Sequence, residues 1–312
     1  VGLERQTQLK GPDAVKFLDY LSSRDMSAMK PEDCRYALIC DEAGLVLCDP
    51  VVLMPEEDLV WLSHGNTDLT LWARGIVLNS DWDVEVSEPD VAPLQVQGPD
   101  SIHVMNALCA TPLDDLKNYK CTITEVAGQR AVVSRTGWSG GFGYEIYPYG
   151  SEKAMALWNA ILEAGKPFGI KVTGPIVHRA VERGVTDTDY YSGSNMNALE
   201  EVASHLVDLE KESDFIGKEA LKKISEEGVK RHSVGLFIDG EVPRLEWHWP
   251  LRGGDGTEGM VRWAVHSFAL DRSIGIAIVD VSIKVGDRVE VDHPGGTVSA
   301  EVTTIPFAPR GS

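Results

Sequence analysis

The stretch Ser134-Arg-Thr-Gly-Trp-Ser-Gly-Gly-Phe-Gly-Tyr-Glu-Ile-Tyr147 decides how this chain is read. It holds four glycines (Gly137, Gly140, Gly141, Gly143), the aromatics Trp138 and Tyr147 toward its ends, and one acid, Glu145. Glycine lets a backbone adopt positive φ and approach a flat ligand closely. An acid on the strand after such a loop can point into a pocket. By residue type and spacing alone, a plain Gly-rich hairpin with an exposed Glu fits at least as well, because short glycine motifs are weak signals.

Outward from this loop the chain alternates strands, helices and tight turns. Before it, residues 121 to 126 and 131 to 134 read as a hairpin around Gly128. Further upstream, strands are expected at 4–10, 36–40, 45–53, 59–63, 84–87 and 94–97. Helices are expected over 14–21, from a cap at Asn66 to about 78, and from Gly98-Pro99-Asp100 to about 108. Hairpins outnumber crossovers, so the sheets should be mainly antiparallel and the class α+β. After the loop, helices are expected at 152–163, 177–184 and 218–225. Residues from about 230 to 308 read as a small all-β unit of barrel type, with strands at 232–238, 274–279, 288–291 and 296–302.

Composition narrows the function. The net charge of −19 at pH 7 argues against nucleic acid as a partner, because phosphate binding needs a positive surface. No apolar run approaches the ~18 residues of a membrane helix. Five cysteines at wide spacing without Cys-x-x-Cys suit buried free thiols in the cytoplasm better than disulfides or zinc. The eight histidines show no ligand spacing, so no metal is expected. The chain begins Val1-Gly-Leu without an initiator Met, which suggests a natural N-terminus further upstream. Trp247-His-Trp249 admits two readings, an aromatic wall for a cationic ligand or ordinary packing.

The 134–147 stretch resembles the Ser-Arg-Thr-Gly-aromatic-Thr/Ser-Gly-x-x-Gly-(Tyr/Phe)-Glu-Ile pattern of the glycine-cleavage T-protein family, the aminomethyltransferases and their relatives. Three further segments agree in order: Gly44 to Val52, Leu94 to Pro99, and Asp214 to Leu221. Glu4-Arg-Gln, Leu71 to Arg74, Val86 to Val91 and Gly137-Trp-Ser139 are most similar to the branch of tetrahydrofolate-dependent demethylases that act on dimethylsulfoniopropionate. The resemblance implies a three-subdomain cloverleaf with a C-terminal barrel. Residues 1–115 would form an α+β folate-binding subdomain, 116–228 a second one carrying the Gly-rich pattern, and 229–312 the barrel.

The resemblance also implies roles. Glu145 would accept the pterin N–H and amino group as a charge-assisted pair. Asp49 would stand near folate N5 and N10, although an Asp before Pro50 can also simply break a strand. Trp138 and Tyr147 would stack on substrate or pterin. Arg179 and Glu182 would help hold the cofactor. The family's Arg-x-Glu is altered here, since Ala180 stands where the Arg belongs and Arg179 and Arg183 flank it. Asn197-Ala-Leu-Glu200 and residues 190–194 also depart from the family's wording.

The reaction implied is methyl transfer from a small-molecule donor, a sulfonium favoured, to tetrahydrofolate, without a stable protein partner. A sulfonium leaves as a neutral thioether and needs no strong acid, so alignment does most of the work. Aryl O-demethylation, aminomethyl transfer and folate binding without chemistry remain open at this point.

Overall fold

The computed structural model describes residues 4–65, 67–78, 80–174, 177–186, 195–254 and 256–307. The first unit runs β1 (Arg5–Lys10), α1 (Ala14–Leu21), β2 (Cys34–Tyr36), β3 (Ile39–Cys40), β4 (Val46–Cys48), β5 (Val51–Glu56), β6 (Leu59–His64), α2 (Leu69–Val77) and β7 (Glu85–Ser87). Five of these strands form an antiparallel sheet in the order β2-β5-β6-β1-β7, and β3 and β4 pair separately. Helix α1 buries Phe17, Leu18 and Leu21 against this sheet, beside Leu9, Val60 and Leu62. Those positions recur at helical spacing on α1 and alternate on β1 and β6, as a one-sided apolar face requires.

The second unit comprises β8 (Leu94–Gln97), α3 (Ser101–Leu108), β9 (Cys121–Val126), β10 (Gln129–Ser134), β11 (Gly143–Pro148) and α4 (Ala154–Gly165). Its sheet order is β8-β11-β10-β9. The edges of the two sheets meet. Asp33 bridges Lys120, the Cys34 amide donates to the Tyr119 carbonyl, and the Cys121 amide donates to the Glu32 carbonyl. A seam of Cys34, Leu53, Trp61, Cys121, Val132 and Tyr147 fills the space behind that junction.

Helices α5 (Val177–Glu182) and α6 (Lys218–Glu227) lead into the last unit. There β12 (Arg231–Ile238), β13 (Trp249–Gly253), β14 (Glu258–Ser267), β15 (Arg272–Asp280), β16 (Arg288–His293) and β17 (Gly296–Thr303) close into a six-stranded barrel. Every strand pair is antiparallel, and the α+β class with a terminal barrel holds.

Several elements differ from expectation. The strands expected at 36–40 and 45–53 are each broken. Pro50 has no N–H to give a ladder, and its carbonyl instead accepts from the Ala37 amide, so the chain steps between two sheets there. β13 and β14 were not foreseen. Pro50's counterpart is Pro250, which masks β13, and a register shift between Val261 and Trp263 breaks the alternation of β14. Helix α2 begins after Asp68, and the expected cap at Asn66 lies outside the described residues, as do residues 190–194.

Candidate active site

Glu145 sits on β11 opposite Ser134 of β10 and Gln95 of β8, in the interior of the four-stranded sheet. Its side chain is buried. The Thr136 hydroxyl donates to Glu145 Oε2, and Ser134 Oγ lies 2.5 Å from Thr136 Oγ1, so Ser134 can donate onward to Thr136. The Tyr147 hydroxyl donates to the same Oε2 at 3.2 Å. Among the described residues, none donates to Oε1. Burial pushes the Glu145 carboxyl above its ordinary range, and the bonds from Thr136 and Tyr147 pull it partly back.

The Gly-rich loop packs against Gln95, Gln97 and Arg183. Gly140 has φ of +64° and lies against Arg183, where any side chain would collide with Arg183 Cδ at 2.9 Å. The Arg183 guanidinium is buried and donates to the Ser139 carbonyl at 3.4 Å. Arg183, not Arg179, therefore supports the loop. Arg179 turns to Glu182 at 2.9 Å and is half exposed. Glu182 Oε1 accepts from Ser267 Oγ at 2.6 Å, which ties α5 to the end of β14. Burial alone would raise the Glu182 carboxyl, but its bonds from Ser267, Arg179 and the Ala269 amide bring it below the ordinary value.

Trp138 stands on the loop, partly exposed, and faces Trp263 of β14 at 6.4 Å between ring centroids and 56° between planes. The Trp263 indole N–H is buried and unbonded among the described residues. Tyr147 is fully buried in the seam, its ring 6.2 Å from Trp61. Only its hydroxyl reaches the site, so it orients Glu145 and offers no face for stacking. Asp49 follows β4 and accepts from the Tyr36 hydroxyl at 2.5 Å. Burial, then the nearby Asp49 and Glu201 charges, push the Tyr36 phenol well above its ordinary range. Asp49 thus belongs to a second polar group with Tyr36, Glu201 and Thr186, in which Thr186 donates to Glu201 at 2.8 Å.

The aromatic wall does not form. Trp249 is buried inside the barrel with Leu251 and Val291, whereas Trp247 is 67% exposed. Consecutive odd positions at a strand start have been separated by burial of one ring only. Among the described residues no group of His, Cys, Asp and Glu could hold a metal ion, and no helix is long and apolar enough to cross a membrane. All five cysteines are free.

Sequence reasoning passed over Thr136, Ser63, Tyr36, Trp263 and Glu4 as site residues. Thr136 lay inside the quoted loop, nine residues before Glu145. Glu4 lay in the Glu4-Arg-Gln segment, which was read for family similarity and not as part of a site, and no local pattern marks Ser63, Tyr36 and Trp263.

Comparison with known proteins places the chain in a family. Residues 1–185 match the GCVT N-terminal domain, and residues 231–308 match the glycine cleavage T-protein C-terminal barrel domain. The chain is 35% identical over 301 residues to the dimethylsulfoniopropionate demethylase DmdA of Ruegeria pomeroyi, covering 95% of this chain and 81% of that protein. It is 32% identical over 317 residues to an aminomethyltransferase of Thermotoga petrophila, covering 97% and 84%. The aminomethyltransferase T of the Bartonella henselae glycine cleavage system superposes with a TM-score of 0.84 at 20% identity, over all of this chain and 86% of that one. The chain belongs to the glycine-cleavage T-protein family, whose members transfer one-carbon groups with tetrahydrofolate as cosubstrate.

Proposed function

We propose that this enzyme takes a methyl group from a small sulfonium, of the dimethylsulfoniopropionate class, and transfers it to N5 of tetrahydrofolate. The observation that carries the folate half is Glu145, a buried acid with two donors on Oε2 and none among the described residues on Oε1. A pterin edge presents two adjacent N–H groups, and one carboxylate satisfies both. Thr136 and Tyr147 hold the acid's plane fixed, so little orientation is lost on binding. The glycines of the loop leave room for the Gln95, Gln97 and Arg183 side chains that pack against it.

When bound, tetrahydrofolate supplies the nucleophilic nitrogen. The chain's residues do the rest. Glu145 fixes the far edge of the pterin. Asp49, held by Tyr36, accepts the proton that N5 sheds after alkylation. Trp138 and Trp263 offer π faces that suit a cation, worth roughly 0.5–2 kcal/mol. A neutral thioether needs no acid to leave. Arg179 and Glu182 act as a brace between α5 and the barrel and reach the folate only through Arg179's exposed end. The sulfonium preference draws on the similarity to the Ruegeria demethylase together with this aromatic pair.

The test is direct. Incubated with tetrahydrofolate and dimethylsulfoniopropionate, the enzyme should form 5-methyltetrahydrofolate, read by mass spectrometry. Turnover only with a methoxyaryl compound or an aminomethyl carrier would replace the donor assignment. Glu145→Gln should lose at least tenfold in folate affinity, because bonds to a charged acceptor are each worth about 1.5–3 kcal/mol. Unchanged affinity would remove Glu145 from the site.

A further inference from the structure

Glu4 is the second acid near Glu145. It precedes β1 and shares a face with Gln6, two residues on. Gln6 pairs across the sheet with Ser63 of β6. The Ser63 hydroxyl donates to Glu4 Oε2 at 3.3 Å and accepts from Gln6 Nε2 at 3.1 Å. The Tyr147 hydroxyl lies 3.5 Å from Ser63 Oγ and 3.2 Å from Glu145 Oε2. A phenol has one proton, so Tyr147 serves one of these acceptors at a time. A hydrogen-bonded chain therefore runs Glu4–Ser63–Tyr147–Glu145 across two sheets.

We propose that Glu4 is a positioning residue for the folate site, which keeps a proton so that the single charge of the pair rests on Glu145, and that folate binding is thereby coupled to proton uptake. The inference rests on the reading of Glu145 given above. Two neighbouring carboxyls in a shielded site resist carrying two charges. Ionised Glu4 draws the Ser63 proton, makes Ser63 Oγ a better acceptor and pulls Tyr147 away from Glu145. Neutral Glu4 leaves Tyr147 with Glu145.

Among the described residues little relieves the pair: the Ser63 hydrogen bond lowers the Glu4 carboxyl, but less than burial raises it. On β1, Arg5 is engaged by Glu88, which follows β7. On β6, His64 bonds Thr7 and Thr67, and burial lowers its basicity. From β2 the Cys34 thiol faces the pair, pushed up by burial and by Cys121. On β11 the Tyr147 phenol is held neutral, raised first by burial and then by the two acids. Among the described residues no Lys or Arg pairs with either carboxyl. Burial, with the Glu145 charge adding to it, pushes the Glu4 carboxyl up to about 8.

A ligand that needs Glu145 held in place by Tyr147 binds better when Glu4 is neutral, and by linkage its binding raises the proton affinity of Glu4. The complex then binds more protons than the free protein, so affinity falls as pH rises through the Glu4 titration. The experiment is calorimetric titration of the protein with 5-methyltetrahydrofolate from pH 6.5 to 9.5, in buffers of different ionisation enthalpy. Wild type should take up a proton above pH 8 and lose affinity by as much as about tenfold per pH unit there. Glu4→Gln should abolish both effects. Ser63→Ala, which cuts the chain between the acids and leaves both carboxyls in place, should reduce them and serves if Glu4→Gln fails to fold. Undiminished proton uptake in these variants, or its absence from wild type, overturns the proposal. Glu145→Gln separates the two claims: if it costs no affinity the folate reading falls, and if it does while Glu4→Gln keeps the alkaline loss, only the role of Glu4 falls.

Discussion

At Glu145, burial and hydrogen bonding act in opposite directions. Burial favours the neutral acid, and the Thr136 and Tyr147 hydroxyls favour the carboxylate that a pterin edge requires. Thr136→Val keeps shape and removes a donor. The Glu145 carboxyl should then rise further, since a bond to a charged acceptor is worth about 1.5–3 kcal/mol and one pKa unit about 1.4. The sign follows from the state that binds. On the proposed reading folate needs the carboxylate, so affinity is present above the Glu145 titration and lost as pH falls through it. Thr136→Val should move that acid limb upward by about one pH unit, measured by folate titration from pH 4.5 to 7.5. An unmoved limb would show that Thr136 does not tune the acid. A raised carboxyl also weighs on folding: its contribution is fully present below the unfolded value and lost as pH rises through the folded one.

At the scale of elements, the site depends on how closely β8 and β11 approach. A Cβ on Gly143 would stand 2.8 Å from the Val96 carbonyl oxygen and 2.5 Å from Gln97 Oε1. Both atoms belong to the facing strand, and the carbonyl cannot move without spreading the ladder. Gly143→Ala should cost about 1–3 kcal/mol, the usual penalty for overpacking, and lower the urea midpoint. Folate affinity should fall with it, because Glu145 is two residues along the same strand. A variant of wild-type stability would mean that the ladder yields locally. The hairpin of β9 and β10, helix α1 and the strands around the loop were legible because each is written in local periodicity and turn residues. β13 and β14 were not. Pro250 hides the first, and the shift between Val261 and Trp263 interrupts the period-two pattern of the second.

Across the whole molecule, a few polar ties hold parts distant in sequence. Lys211 is buried and donates to the Asp19 carbonyl at 2.6 Å, to Asp19 Oδ1 at 2.9 Å and to the Ser22 carbonyl at 3.1 Å. It pins the chain before α6 onto α1, and burial lowers its basicity. Arg231 grips Glu200 with two bonds of 2.9 and 2.7 Å where the barrel begins. Lys211→Met strips Asp19 of its counter-charge, although the Met26 amide at 2.7 Å remains. Removing one partner of a buried pair costs about 3–5 kcal/mol, and the fall should appear in the denaturant midpoint. A change under 1 kcal/mol would mean water replaces the lysine. The amino-acid sequence alone determined the α+β class, the barrel and the family, and it supplied Glu145 as the proposed folate acid, because these rest on short patterns of residues adjacent in the chain. It left undecided which Arg supports the loop, that Tyr147 turns only its hydroxyl toward Glu145, and that Glu4 and Ser63 are linked to Tyr147 by hydrogen bonds. Those relations follow from sheet register and packing between residues as many as 84 positions apart, and only the tertiary structure brings such residues within reach of one proton.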